Sequence, residues 1–410
     1  MNSTPIGNRM HIAIFGRRNA GKSTLINAIT NQNLAVVSDV AGTTTDPVYK
    51  AMELLPIGPV MIIDTAGLDD EGELGRLRIE KTYEVLRKTN LAIVVINAVD
   101  GVTDFELGFV KEVKEREIPS IAVINKCDLK SISKDELMQM KDLLGIPAIP
   151  VSSQTKEGIE ELKKFIVQNA KYDESQLSIV GDLINPGDFA VLVTPIDKAA
   201  PKGRLILPQQ QTIRDIIESD AIAVVVKEHE LKETLMHLGK KPSIVITDSQ
   251  AFLKVSADTP EDIPLTSFSI LFARYKGELL EMVKGLKKVE SLKNGSRVLI
   301  VEGCTHHRQA DDIGKVKIPR WIRQMAGGDI EFEWAAGTFF PKELERYDAV
   351  IHCGGCMLNR QEMQYRINSA KELNVAITNY GMLIAYVQGI LKRALKPFPA
   401  AYMMLEEDWQ

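Results

Sequence analysis

The sequence predicts an α/β protein. Short apolar runs of strand length alternate with stretches of helical periodicity over most of the 410 residues. Strands that alternate with helices are typical of a mostly parallel sheet covered by helices on both faces. The length suggests more than one domain, since domains usually contain about 100–200 residues. We therefore expect a first domain built on a mostly parallel sheet, followed by two smaller α/β domains.

The first predicted domain covers residues 1–172. Its predicted strands are His11–Phe15, Val60–Asp64, Leu91–Asn97, Ser120–Asn125 and Ile146–Val151, and a helix over Gly158–Ala170 closes it. The polar stretch Lys171–Gln176 is typical of a linker.

The second and third predicted domains cover residues 178–267 and 268–410. The second has predicted strands Phe189–Pro195, Ala221–Val226 and Ser243–Asp248, with helices Gln209–Ser219 and Glu228–Leu238. The third has a predicted helix Phe268–Val289, strands Arg297–Glu302, Ile330–Trp334, Ala349–His352 and Val375–Thr378, and a helix Gln361–Leu373.

Composition excludes several classes of protein. The net charge is −5, which disfavours a nonspecific nucleic-acid binder, because such proteins carry strong basic patches. No apolar run reaches 18 residues and the N-terminus does not resemble a signal peptide, so we expect a cytoplasmic protein without a membrane span. In that reducing compartment, the four cysteines are expected to be thiols or metal ligands rather than disulfides.

The segment GRRNAGKS at residues 16–23 fits the phosphate-binding loop pattern, because it follows a strand and opens a helix. Backbone N–H groups of such a loop surround the β-phosphate, Lys22 reaches the β- and γ-phosphates, and the Ser23 hydroxyl binds Mg²⁺. By itself this segment also fits a glycine-rich turn before a helix. The predicted phosphate contacts come from Gly16, Ala20, Gly21, Lys22, Ser23 and Thr24.

Two further segments complete a predicted site of hydrolysis. The sequence DTAG at residues 64–67 ends a predicted strand, where Asp64 supports Mg²⁺ and the Gly67 N–H meets the γ-phosphate. Between this segment and the phosphate loop, the sequence GTTTD at residues 42–46 supplies Thr44 to Mg²⁺. We expect Lys22, Thr44, Asp64 and Gly67 to carry the catalysis.

The base is predicted to be guanine. In the sequence NKCD at residues 125–128, Asp128 can accept hydrogen bonds from N1–H and the 2-amino group, a donor pair that adenine lacks. Asn125 belongs to the same segment, and the stem of Lys126 covers the base. Backbone N–H groups of Ser152 and Ser153 are placed to meet guanine O6. Five motifs in this order predict a GTP-binding domain.

Two short segments of the third domain concentrate cysteine and histidine: CTHH at residues 304–307 and HCGGC at residues 352–356. Each follows an apolar predicted strand, and the ends of neighbouring strands commonly build sites. Cys353 and Cys356 have the spacing that lets two thiolates hold one metal centre. A thiol–disulfide pair, a zinc site and a three-cysteine iron–sulfur site all remain open on spacing alone.

Residues 10–170 resemble the G domains typified by Era and the tRNA-modifying GTPase MnmE. In that group, an asparagine of the phosphate loop helps to hold K⁺, and Asn19 occupies the matching position. Leu68 follows DTAG where Ras-like proteins place a water-orienting glutamine. The resemblance therefore implies slow, K⁺-assisted hydrolysis. Ser153 departs from the usual alanine, which matters little because the backbone makes the contact.

The whole chain resembles the [FeFe]-hydrogenase maturation GTPase family HydF, on the pattern Cys-x-His, a long spacer and His-Cys-x-x-Cys behind an Era-like G domain. The resemblance implies a [4Fe-4S] cluster on Cys304, Cys353 and Cys356, with His306 and His352 as candidate fourth ligands. It further implies a homodimer formed through the second domain. The implied role is a scaffold and carrier for a transient di-iron subcluster, working with two radical-SAM maturases and apo-hydrogenase.

The alternative hypothesis is an RNA-modifying or ribosome-assembly GTPase with a C-terminal zinc site. The Era- and MnmE-like G domain favours it. The acidic net charge and the lack of a basic patch with aromatic residues count against it, so binding to nucleic acid is not expected.

Overall fold

The structure, a computed structural model, describes residues 4–30, 47–55, 57–65, 73–169, 178–195, 205–303 and 312–408. The chain forms two compact units, Met1–Asp173 and Glu174–Gln410. Several predicted features lie outside the described residues: Thr44, Gly67, Leu68, Cys304, His306 and the linker Lys171–Gln176.

The first unit contains a six-stranded sheet with the strand order β2-β3-β1-β4-β5-β6. Its strands are β1 (Met10–Phe15), β2 (Val48–Leu54), β3 (Gly58–Asp64), β4 (Leu91–Asn97), β5 (Ser120–Asn125) and β6 (Ala148–Pro150). Its helices are α1 (Lys22–Thr30), α2 (Glu73–Arg87), α3 (Asp104–Glu115), α4 (Lys134–Leu144) and α5 (Ile159–Asn169). All neighbouring strands are parallel except β2 and β3, which are antiparallel. The mostly parallel α/β sheet predicted for this domain is confirmed.

The second unit contains two parallel four-stranded sheets, the first with the order β10-β9-β7-β8. Its strands are β7 (Phe189–Val193), β8 (Ile222–Val226), β9 (Ile244–Thr247) and β10 (Leu265–Ser267). The helices that connect them are α6 (Leu207–Glu218), α7 (Leu231–His237) and α8 (Phe252–Asp258). Strand β8 lies at one edge of this sheet.

The second sheet of this unit has the order β12-β11-β13-β14. Its strands are β11 (Arg297–Glu302), β12 (Glu331–Ala336), β13 (Ala349–His352) and β14 (Ala376–Asn379). The helices of this part are α9 (Phe268–Lys276), α10 (Leu279–Glu290), α11 (Ile318–Ala326), α12 (Arg360–Glu372), α13 (Tyr380–Val387), α14 (Leu391–Leu395) and α15 (Pro399–Asp408). One apolar core runs through both sheets of the unit, from Ile179 to Leu405.

The predicted single helix Phe268–Val289 is wrong, because α9 and α10 are separate helices. The chain is extended at Gly277, between them. A Cβ atom at this position would lie 2.7 Å from the Ala273 carbonyl oxygen and 3.0 Å from both Ile367 and Met282. Glycine permits this close packing, and it is also a poor helix former. The break ends α9 directly after Lys276.

Within the described ranges, no helix has both the length and the apolar character needed to cross a membrane. The expected cytoplasmic location stays a prediction.

Candidate functional site

The phosphate loop connects the carboxyl end of β1 to the start of α1. Lys22 is buried, and its Nζ donates to the carbonyl oxygens of Gly16 at 2.9 Å and Arg17 at 2.8 Å. These bonds hold the loop in a closed turn around the lysine. Asn19 lies at the exposed tip of the loop with a left-handed φ of 59°. The turn therefore presents backbone and ammonium groups at the start of a helix, where anions bind favourably.

The two described residues predicted to face Mg²⁺ lie together. The Ser23 hydroxyl, in the first turn of α1, donates to Oδ2 of Asp64 at the end of β3, at 2.8 Å. Burial raises the pKa of Asp64, while the Ser23 hydrogen bond and the charges of Lys22 and Lys50 lower it. Hydroxyl and carboxylate oxygens are ligands that Mg²⁺ prefers.

Asn125 joins the phosphate loop to the predicted base-binding segments. Its Nδ2 donates to the Ala20 carbonyl at 3.0 Å, and its Oδ1 accepts from the backbone N–H and the hydroxyl of Ser153, at 3.1 and 2.8 Å. The amide lies so close to the loop that a Cβ atom at Gly21, where φ is +92°, would be 2.3 Å from Nδ2. This contact therefore leaves no room for a side chain at position 21, and only glycine fits there. The sequence assigned Asn125 to the nucleotide site without revealing this bridging role.

Asp128 is held in place by the neighbouring loop. The Ser152 hydroxyl donates to Asp128 Oδ1 at 2.6 Å and accepts from the Thr155 N–H at 3.1 Å. Cys127, between the two residues predicted to bind the base, donates its S–H to the Ile124 carbonyl at 3.2 Å. This is consistent with a packing role for Cys127. The predicted nucleotide residues among the described ones therefore converge on one edge of the sheet.

The Cys-x-x-Cys segment begins directly after β13, at the carboxyl edge of the second unit's second sheet. The sulfur of Cys353 accepts N–H hydrogen bonds from Gly303 at 3.0 Å and Gly355 at 3.4 Å. Gly303 follows β11, the neighbouring strand, and precedes Cys304 in the chain. Burial raises the pKa of the Cys353 thiol, and it raises that of Cys356 to about 11.

His352 is fully buried, and both of its ring nitrogens are engaged. Arg366 Nη1 donates to Nε2 at 3.0 Å, so Nδ1 carries the proton and donates to the Cys353 carbonyl at 2.7 Å. Burial, and then the charge of Arg366, lower the pKa of His352 to about 3. To bind iron through Nε2, His352 would have to give up the hydrogen bond from Arg366.

Arg366 is a buried cation beside the cysteine segment that the sequence did not reveal. It is completely buried in α12, where its Nε donates to Glu362 at 2.9 Å and its Nη2 to the Gly337 carbonyl at 2.8 Å. With the bond to His352, it joins the loops that follow β12 and β13. Its spacing from Glu362 matches an ordinary surface pair on a helix, so only the tertiary structure distinguishes it.

Among the described residues, no three His, Cys, Asp or Glu side chains form a group that could hold a metal. Cys304 and His306 lie outside those residues, so only two cysteines of the predicted set are seen. Cys353 and Cys356 are free thiols. Their N–H···S contacts are of the kind that tunes iron–sulfur clusters.

The two units of the chain match different protein families. Residues 179–277 match the hydrogen maturase F dimerization domain, and residues 280–397 match the hydrogen maturase F tetramerization domain. The two matches meet at the break between α9 and α10. Residues 11–126 match a family described as 50S ribosome-binding GTPase. The GTPase match supports binding of GTP, GDP and Mg²⁺, and the other two support self-association.

Two curated relatives each match less than half of this chain. The tRNA modification GTPase MnmE of Chromobacterium violaceum is 32% identical over 164 residues, which are 40% of this chain and 35% of that protein. MnmE of Heliobacterium modesticaldum is 36% identical over 155 residues, 37% of this chain and 32% of that protein. The chain spans about a third of the length of these relatives.

Among solved structures, Aquifex aeolicus Era bound to GDP.AlF4⁻ is 18% identical, with a TM-score of 0.36 over 56% of this chain and 98% of Era. The TM-score is too low to support an argument about function. The matches to both hydrogen maturase F domains, behind a GTPase domain with its phosphate loop in place, show that the chain belongs to the HydF family of hydrogenase-maturation GTPases.

Proposed function

We propose that this protein hydrolyses GTP and serves as a scaffold and carrier for the di-iron subcluster of [FeFe]-hydrogenase. On this proposal it carries a [4Fe-4S] cluster, works with radical-SAM maturases and delivers its cargo to apo-hydrogenase. One observation carries the proposal: the chain that matches both hydrogen maturase F domains also places a half-buried Cys-x-x-Cys segment, with N–H groups directed at the Cys353 sulfur, at a sheet edge.

The nucleotide site supports hydrolysis with Mg²⁺. Ser23 and Asp64 are already joined by a hydrogen bond, so a Mg²⁺ ion has a hydroxyl and a carboxylate oxygen side by side. Lys22 is poised inside the loop to exchange its carbonyl partners for phosphate oxygens. Thr44 and Gly67 complete the proposed catalytic set from outside the described residues.

Hydrolysis should be faster in K⁺ than in Na⁺, because Asn19 lies exposed at the tip of the phosphate loop where a K⁺ ion could meet both its amide oxygen and a phosphate. The measurement is the steady-state rate of phosphate release in matched KCl and NaCl. Asn19→Ala should remove the difference, and Lys22→Ala should lose hydrolysis in both salts. Equal rates for the wild type in the two salts would contradict K⁺ assistance.

The cysteine segments fit an iron–sulfur cluster. Gly303 donates to Cys353, so the loop that leads into Cys304 starts beside the Cys-x-x-Cys segment. Three thiolates, from Cys304, Cys353 and Cys356, would hold the cluster, which supplies an electron-accepting centre with soft metal sites. The raised pKa of both described thiols means that metal binding releases their protons.

Three cysteines leave one iron of a [4Fe-4S] cluster for a weaker ligand. His352 is poorly placed for this role, since Arg366 occupies its Nε2. His306 stays a candidate. We propose instead that the position is exchangeable, which suits a carrier because cargo must bind and leave. Imidazole or cyanide should then change the EPR spectrum of the reduced cluster in the wild type.

Self-association has a candidate surface in the β8 edge. Ile222 is 45% exposed and Val225 is 42% exposed on this strand. The Ile222 N–H and the Val226 carbonyl form hydrogen bonds on the side of β8 that faces β7. Successive residues of a strand direct their backbone groups to alternate sides, so the N–H and C=O of Val225 face the open edge. An exposed, β-branched edge strand is a template for pairing with another strand. We propose that a second copy pairs here to form the homodimer.

Val225→Lys should weaken that dimer, because an edge lysine would place a charge in the paired interface. Mass measured by light scattering over a dilution series should show a smaller assembly than the wild type forms at the same concentration. Leu253→Lys is the matched control, since Leu253 is an exposed apolar residue on a helix, α8, rather than on the edge strand. An unchanged dimer in Val225→Lys would place the interface elsewhere.

The alternative, an RNA-modifying or ribosome-assembly GTPase with a zinc site, has support from the GTPase match over residues 11–126 and from the likeness to MnmE. The matches over residues 179–397 favour hydrogenase maturation. The deciding assay activates apo-hydrogenase in an extract that contains the radical-SAM maturases. Hydrogen evolution should appear when the protein is added and be absent without it. No activation by protein that has been loaded with iron and sulfide would refute the proposal.

A further inference from the structure

Lys276 is a buried lysine beneath the Cys-x-x-Cys segment. It is the last residue of α9, and only 2% of it is exposed. Its Nζ donates to the carbonyl oxygens of Leu358 at 2.6 Å, Cys356 at 2.9 Å and Gly355 at 3.5 Å. One ammonium group thus holds three backbone carbonyls of the segment that contains the second cysteine.

Burying an ammonium group is expensive, and an apolar residue would fill the same space at lower cost. The other buried residues of α9 are mostly apolar, and the Lys276 ammonium lies 5.6 Å from the centre of the Phe272 ring. A residue whose only task was to pack α9 against its neighbours would not carry a charge. The three carbonyl contacts point to a role in the cysteine segment.

The carbonyl contacts also determine where the N–H groups of the segment point. In a trans peptide the C=O and N–H groups point in opposite directions. With the Gly355 and Cys356 carbonyls turned towards Lys276, the N–H groups of Cys356 and Met357 turn away from it. Burial raises the pKa of the Cys356 thiol, and the charge of Lys276 lowers it.

We propose that Lys276 is a positioning residue that sets the reduction potential of the cluster held by Cys353 and Cys356. It acts in two ways: it holds the backbone that carries Cys356 through the carbonyl contacts, and it places a buried positive charge beside that residue. This inference rests on the proposed iron–sulfur function.

The direction of the expected change in reduction potential follows from electrostatics. Reduction adds an electron to an already anionic centre, so a nearby positive charge and N–H···S hydrogen bonds favour the reduced state. Removing the Lys276 charge should therefore make the cluster harder to reduce. We expect the ratio of reduced to oxidised cluster at a fixed potential to fall about tenfold, which is a shift of about 59 mV for one electron.

The test compares wild type, Lys276→Met and Lys276→Arg after anaerobic loading with iron and sulfide. Each is titrated with a reductant at controlled potential and followed by EPR. Lys276→Met keeps the length of the side chain without its charge, and Lys276→Arg keeps the charge. Lys284→Met removes a charge from an exposed position on α10 and is the matched control. We expect the shift in Lys276→Met, and wild-type behaviour within about threefold in the other two.

If Lys276→Met does not fold, as judged by circular dichroism, Lys276→Gln takes its place, because it retains an N–H donor without the charge. A neutral variant that holds a full cluster at the wild-type potential overturns the inference. Wild-type protein that forms no cluster instead refutes the proposed function, so the two failures are distinguishable. A lower potential in the neutral variant alone supports the role of Lys276.

Discussion

Asp128→Asn should reduce the affinity for GTP by about a thousandfold or more, because the variant presents an amide N–H₂ to a guanine edge that offers only donors. Sites built to hydrogen-bond a ligand group lose this order of affinity when the match is broken. The same change should favour xanthosine triphosphate, whose C2 carbonyl accepts from the amide. Competition titrations with labelled nucleotide measure both effects.

Asp128→Asn can keep the contact that Asp128 makes within the protein. The Ser152 hydroxyl donates to Oδ1 of Asp128, and an asparagine oxygen can accept the same bond. Asp135→Asn, at an exposed position in the first turn of α4, is the control and should bind GTP as the wild type does. If Asp128→Asn kept GTP affinity within tenfold of the wild type, Asp128 would not be the residue that reads guanine.

Arg366→Met should lower the free energy of unfolding of the second unit by about 3–5 kcal/mol. The variant leaves the Glu362 carboxylate buried without its cation, and removing one partner of a buried ion pair has a cost of this size. The three tryptophans, Trp321, Trp334 and Trp409, all belong to this unit, so their fluorescence during denaturant unfolding reports on it.

The double variant Arg366→Met with Glu362→Met should recover part of the loss, because no charge is then left buried alone. Arg346→Met removes a half-exposed partner of Glu333 and should change stability far less, because surface ion pairs contribute little. A single variant at Arg366 that is as stable as the wild type would show that the loops after β12 and β13 do not depend on this network.

The strand–helix alternation was sufficient to predict most of the first sheet. Strands β4 and β5 have the predicted bounds because each is a continuous apolar run. Strand β2 was not predicted, since it lies at the edge of the sheet with most of its side chains partly exposed and lacks an apolar run. The break at Gly277 was also missed, because it depends on what packs against the helix rather than on its sequence.

In the two sites, too, some features could be predicted from the sequence and others could not. The predicted phosphate- and base-binding segments each follow a strand directly, and parallel strands bring their carboxyl ends together, so the sequence could predict that these segments meet at one edge of the sheet. The contacts of Lys276 and Arg366 and the bridge through Asn125 could not be predicted from the sequence. Each depends on contacts between residues far apart in the chain, such as the Lys276 ammonium with the Leu358 carbonyl. A charged residue in a helix gives no sequence signal that it is buried.

The iron and acid-labile sulfide content of the anaerobically loaded protein tests the central claim most directly. We predict about four of each per chain in the wild type, with a brown colour and an EPR signal on reduction, as a [4Fe-4S] cluster requires. Cys353→Ser should lose them, while Cys127→Ser should not, because Cys127 contacts the Ile124 carbonyl beside the nucleotide site. A colourless protein that binds one zinc and no sulfide, with the same cysteines required, would contradict the account.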